Sequence, residues 1–127
     1  MSIKLGFIAY PSTNIKRSRA FFEGVLGLKA NDEYPAADDK YWVEYDLGNA
    51  TLGVGVSPQW PPSDKGASAA LEVDDIDTYI EILKKHDIPI VSGPNRGDVC
   101  DMVVIQDPDG NKITLHHKKG TKKAKAK

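Results

Sequence analysis

The residues that could do chemistry gather on the last strand-like runs of the chain. His116 sits in the alternating segment 112–117 that follows Asp107-Pro108-Asp109-Gly110-Asn111. Side chains of a strand alternate, so Thr114 and His116 share one face while Ile113 and Leu115 take the other. Imidazole titrates near neutrality, which makes His116 a general base or a ligand-orienting donor, the alternative being a histidine that is simply hydrogen-bonded. Cys100 acts as a nucleophile only if a nearby base lowers its pKa, and His116 on the adjacent strand is the available one; otherwise it is a small buried apolar group. Glu72 and Glu44 are acids on strands that reach solvent at strand ends, with Glu72 the better functional candidate. His86 and His117 fit solvated helix-end and strand-end positions. Adjacent His116 and His117 project to opposite sides of a strand, so they make a poor metal pair. There is no GxGxxG, phosphate loop, GxSxG or CxxC.

These residues need elements to hold them. Asp, Pro and Gly at 107–110 supply the side-chain hydrogen bonding and dihedrals of a tight reversal, predicting a hairpin between strands 99–106 and 112–117. Earlier, a β-branched and aromatic run over 4–10 predicts a strand stopping at Pro11. Ser12, Thr13 and Asn14 are competent N-caps for a helix with Ile15, Ser18, Phe22, Val25 and Leu26 inward, ended by Gly27. An edge strand over 28–33, a loop over 34–40 and a hairpin of 41–47 with 50–56 around Gly48-Asn49 follow. The segment 57–66 (SPQWPPSDKG) breaks all periodicity and reads as a connector. Beyond it come a strand over 67–73 and a helix capped by Asp74 or Asp75. That helix has Ile76, Tyr79, Ile80 and Leu83 inward and Glu81 four residues before Lys85. A short strand at 90–91, a loop over 92–98 and the closing hairpin complete the chain.

The two halves superpose at a constant offset of 61, placing Asn14 on Asp75, Phe22 on Leu83, Asp46 on Asp107, and Leu52 and Val54 on Ile113 and Leu115. A strand, a helix and three strands cannot bury both sheet faces alone. Two copies should therefore pair, helices outside, with the other faces curving toward a shared cavity.

At 127 residues the chain is long enough for one ordinary domain with its own core. A single cysteine permits no internal bridge and suits a reducing compartment. The start lacks a signal-peptide pattern and no apolar run approaches a membrane span, so the expectation is a soluble, cytoplasmic protein. Net charge is −1, but lysines crowd residues 118–127, predicting a disordered basic tail. Such a tail could bind phosphate backbones or acidic surfaces; lacking interleaved aromatics, it reads first as a solubilising terminus, not a nucleic-acid or membrane site.

Three stretches, SRAFFEGVLGL at 18–28, LEVDDI at 71–76 and DPDGNKITL at 107–115, resemble the vicinal oxygen chelate superfamily, also called the glyoxalase/bleomycin resistance/dioxygenase superfamily. The resemblance implies an α+β fold: two paired βαβββ modules, about 1–56 and 67–117 with linker 57–66, forming a cup-shaped mixed sheet with helices outside. It implies a homodimer as well. Metal-dependent members hold one divalent ion through His, Gln or Glu on the first and last strand of each module. Counting back fourteen residues from Phe21, and applying the offset, puts those positions at Phe7, Gly53, Ser68 and Thr114. Phe and Gly offer no donor, and two hydroxyls cannot replace imidazole and carboxylate groups. The expectation is no metal and no cofactor.

Parity predicts what lines the cup instead: Leu5, Phe7 and Ala9; Thr51, Gly53 and Gly55; Ser68, Ala70 and Glu72; Cys100, Met102, Val104 and Gln106; Thr114 and His116; and, by the offset, Tyr41, Val43 and Tyr45. An apolar concavity with few polar groups is the usual composition of a small-molecule pocket. Gly53 and Gly55 either leave room for a ligand or relieve crowding at a twisted strand. The expected function, like that of the family's resistance proteins, is sequestration of a small apolar or aromatic molecule. Phe7, Tyr41, Tyr45, Met102 and His116 would make contacts, Thr51, Ser68, Glu72 and Thr114 hydrogen bonds, Gly53 would leave room at the floor, and Trp60 in the connector would close over the opening. Whether the protein is an enzyme stays open: the alternatives are a lyase, isomerase or dioxygenase with a displaced metal site or His116/Cys100 chemistry, and a module binding a partner through its tail.

Overall fold

The computed structural model describes residues 5–35 and 39–119. Residue 4 of the expected first strand, 36–38 of the expected loop and 120–127 of the expected tail lie outside the described residues. The element order is β1 (Phe7–Pro11), α1 (Ile15–Arg19) continued by a π-helical turn (Ala20–Val25), β2 (Ala30–Glu33), β3 (Tyr41–Asp46) and β4 (Thr51–Val56). The order then repeats as β5 (Ala69–Glu72), α2 (Ile76–Lys85), β6 (Ile90–Arg96), β7 (Cys100–Gln106) and β8 (Lys112–Lys118). The strands form two four-stranded mixed sheets, β1-β4-β3-β2 and β5-β8-β7-β6. In each, the first and last strands of the module run parallel and the remaining pairs antiparallel. The chain is thus α+β with two βαβββ modules. It divides into one compact unit of Met1–Lys65 with Pro108–Asn111 and a second of Gly66–Asp107 with Lys112–Lys127.

In the first unit, Asn14 caps α1: its side-chain oxygen accepts from the Arg17 N–H at 3.0 Å. The helix then widens, with Leu26 N–H donating to Phe21 O at 3.1 Å, a five-residue step. Phe21 and Phe22, three and four residues after buried Ser18, both face inward, at 3% and 0% exposure. Gly27, at φ +77°, ends the helix, and Leu28 N–H donates to Phe22 O. Phe22 packs on Tyr10 and Tyr45, which with Val43, Leu52 and Val54 make the core.

In the second unit Asp75 caps α2, accepting from Asp77 N–H and the Thr78 hydroxyl. Ile76 and Leu83 are buried, as are Ala69, Val103, Ile105, Ile113 and Leu115 of the sheet. Glu81 lies near Lys84, 3.8 Å away, rather than Lys85. β6 runs on through the expected loop to Arg96, with register shifts between Ile90 and Asn95. β8 likewise runs one residue past the expected boundary, and Lys119 N–H donates to Val99 O. No helix among the described residues is long and apolar enough to cross a membrane.

The repeat holds at the caps and along β4 and β8 but slips at β3. Leu52 pairs with Tyr45, whereas its counterpart Ile113 pairs with Ile105, one position off the offset of 61. Residues 47–50 connect the first hairpin and 107–111 the second, which is one residue longer. A one-residue slip moves every side chain of a strand to the other face. Tyr41, Val43 and Tyr45 therefore lie on the helix side, not on the open face where the offset places them.

Candidate functional site

Each sheet has one face covered by its helix and one open. On the open face of the first sheet, the register sets Trp42 opposite Gly55 and Glu44 opposite Gly53. The Trp42 indole lies over both glycines: a Cβ on Gly53 would stand 2.3 Å from its Cζ2, and one on Gly55 2.8 Å from its Cε3. The space expected for a ligand above Gly53 thus holds an indole. Trp60 stacks on Trp42 with ring centres 6.5 Å apart, and Phe7, 56% exposed, meets Trp42 edge-on at 5.5 Å. Glu44 fixes the indole by accepting from Nε1 at 2.8 Å. Trp60 also walls an adjoining cleft of about 270 Å³ with Val56, Pro58, Pro61 and Pro62, and with Ser12, Thr13 and Asp39 at its polar side. Thr51 begins β4 on the same face as Gly53 and is half-buried.

The tyrosines serve the other side. The Tyr45 hydroxyl donates to Glu23 Oε2 at 3.0 Å, and Glu23 also takes Arg19 Nε at 2.6 Å. Burial, and then that bond to Glu23, pushes the Tyr45 phenol well above its ordinary range, keeping it neutral. The Tyr41 hydroxyl donates to Glu33, which Arg19 also contacts. Neither tyrosine shares a face with Phe7. Trp42 was missed because the parity came from the offset; two glycines alternating on β4 were the available signal, since they leave room for a large ring on the neighbouring strand.

On the open face of the second sheet, parity is borne out by the register. Glu72 stands opposite His116 across β5 and β8, Met102 opposite His116 across β7, and Ala70 opposite Thr114. Glu72 Oε1 lies 2.6 Å from His116 Nδ1, and Glu72 Oε2 accepts from Lys118 N–H at 2.6 Å. Burial alone would raise the Glu72 pKa; the bonds from His116 and the Lys118 amide outweigh it and hold the carboxyl below its ordinary range. Cys100 pairs with Lys118 in the ladder, one step along from Met102, so its ladder neighbour is not His116. Ser68 is exposed and precedes β5. On the helix side of this sheet, His117 Nδ1 lies 3.0 Å from Val73 O, and buried Asp101 pairs with Lys119 and Arg96.

The donor chemistry does not suit the metal that the fold class implies. Phe7 and Gly53 bring no donor atom, Ser68 and Thr114 one hydroxyl each. Among the described residues no three His, Cys, Asp or Glu side chains come together to hold an ion.

Solved structures share this fold. The antibiotic-binding protein TnmS3 from Streptomyces sp. CB03234 matches with a TM-score of 0.75 and 21% identity, over 93% of this chain and 98% of that one. A glyoxalase/bleomycin resistance protein from the same organism matches with a TM-score of 0.71 and 20% identity, over 88% and 98%. The trypanothione-dependent glyoxalase I of Leishmania major matches with a TM-score of 0.79 and 22% identity, over 98% and 94%. No curated protein matches in sequence. The model of the Glyoxalase/Bleomycin resistance protein/Dioxygenase superfamily matches residues 4–115, and the chain belongs to that superfamily.

Proposed function

We propose that this protein binds a small, mainly apolar or aromatic molecule without help from a metal, on the open aromatic face of its first sheet. The observation that carries the reading is the Phe7–Trp42–Trp60 cluster: Trp42 touches both of the other rings, Phe7 is exposed, and Glu44 orients the Trp42 indole. Aromatic faces supply large contact area at little cost in side-chain entropy, and one acceptor-bearing edge adds orientation. The resemblance to TnmS3, itself an antibiotic-binding protein, supports the reading, as does a donor set unsuited to a metal. The ligand contacts expected of Tyr41 and Tyr45 pass to Trp42 and Trp60. Thr51 remains within the proposed face; Glu72, Met102, Thr114 and His116 belong to the other unit's sheet, and Ser68 lies just before it. The same reading takes the protein as a cytoplasmic homodimer, checked by sedimentation and fractionation.

Tryptophan emission tests it. Aromatic compounds should quench Trp42 and Trp60 saturably and raise the melting temperature, with both responses unchanged by chelator and reduced about tenfold or more in affinity by Trp42→Ala. Binding that appears only with added metal would sink the proposal.

A further inference from the structure

The second unit's open face carries a proton-accepting group that ligand sequestration by stacking does not use. His116 and Glu72 stand in register on adjacent parallel strands, and the carboxylate is held at both oxygens: Oε1 against His116 Nδ1 and Oε2 by the Lys118 amide, each at 2.6 Å. With Nδ1–H donating to Glu72, the lone pair of the imidazole is on Nε2. The His116 side chain is 28% exposed, so a small molecule on this face can reach it. Beside it lie Met102, directly across β7, and the small pair Ala70 and Thr114 one step along. A thioether and small side chains suit a flat ring, since sulfur contacts aromatic edges favourably.

The geometry points to a site for a hydroxylated aromatic compound, a phenol, whose O–H is donated to His116 Nε2 while its ring rests by Met102. In the bound state the proton can cross. The phenol O–H bond breaks, its electron pair stays on oxygen as phenolate, and the proton joins Nε2 to give an imidazolium that keeps its Nδ1–H donated to Glu72. Glu72 is the positioning residue: it fixes the tautomer and stabilises the imidazolium. Charged and titratable groups facing His116 are Glu72 on β5, Lys118 on its own strand and Cys100 on β7. The inference goes beyond the aromatic-face reading: it concerns the second unit's own sheet and names a class of ligand for it.

The probe is p-nitrophenol, whose phenolate absorbs visible light, titrated near its own pKa, with tryptophan emission recorded in the same cuvette. The intact protein should raise the phenolate fraction of bound probe. His116→Gln should abolish that gain and weaken affinity about tenfold, the worth of a hydrogen bond to an ionising group. Glu72→Gln should retain binding with a smaller gain. p-Nitroanisole, which has no O–H, should bind at least as weakly as p-nitrophenol does to the His116→Gln protein. On the unmodified protein, ring-nitrogen NMR should show Nε2 becoming protonated as probe is added, which keeps the test decisive if a variant fails to fold. Equal responses from the intact and His116→Gln proteins, or equal affinity for the phenol and its methyl ether, would overturn the inference. Quenching of tryptophan without any His116-dependent ionisation leaves the aromatic-face reading standing and defeats this one. Ionisation without quenching does the reverse.

Discussion

Asp109 shows how much one side chain of a turn can organise. Its carboxylate, 3% exposed, accepts from the Thr13 amide at 3.2 Å, the Thr13 hydroxyl, Ser18 Oγ at 3.3 Å and Arg17 Nη2 at 2.7 Å. Removing it leaves the buried Ser12–Ser18 hydroxyl pair, 2.6 Å apart, one acceptor short. Asp109→Ala should cost about 2–3 kcal/mol in urea unfolding, in the range of hydrogen bonds to charged groups. Arg17, being half-exposed, contributes less than its distance suggests, and Arg17→Ala should cost under about 1 kcal/mol. Gly53 acts by absence. A methyl there would meet the far end of the Trp42 ring at 2.3 Å, and the indole rather than the backbone would give way. Gly53→Ala should red-shift tryptophan emission and weaken aromatic binding while changing the melting temperature by only a few degrees.

At the level of elements, helix ends and strand pairs set the terms. Gly27 closes α1 at φ +77° with open space where a Cβ would go, so Gly27→Ala should cost about 1 kcal/mol from backbone strain alone. The Glu72–His116 pair spans β5 and β8. Because the folded carboxyl titrates below its ordinary 4.5, its contribution to stability is fully present above that pH and is lost as pH falls through the lower folded value. Chemical denaturation from pH 7 to pH 3 should show a smaller acid loss in Glu72→Gln than in the unmodified protein. Caps were legible in the sequence: Asn14 and Asp75, matched by the offset, both cap their helices. The π-helical turn was not, because the apolar spacing of residues 20–26 is compatible with either winding.

For the whole molecule, two sheets of one design present chemically different open faces: tryptophans over glycines on the first, a carboxylate–imidazole pair on the second. Among the described residues, neither brings the donors of a divalent site. Purified, tag-free protein should therefore contain no stoichiometric metal, and its melting temperature should stay constant with chelator or with Zn²⁺, Ni²⁺, Mn²⁺ or Fe²⁺; a metal-dependent rise would return the superfamily's metal chemistry to the front.

Element order, both N-caps, the hairpin turns and the inward alternation of Leu52, Val54, Ile113 and Leu115 were determined by the sequence itself. Each depends on dihedral preferences, side-chain-to-backbone bonds or apolar periodicity within a few residues. The face shown by β3 was decided only by tertiary pairing, since hairpins differing by one residue look alike in an offset but place opposite sets of side chains against the core. Parity likewise put Glu72 and His116 on one face, yet their contact depends on the register of parallel strands that bring residues 44 positions apart side by side. No local preference encodes that register. It goes with the burial of Ala69, Ile113 and Leu115 on one face of the sheet, a choice that the folded sheet makes as a unit.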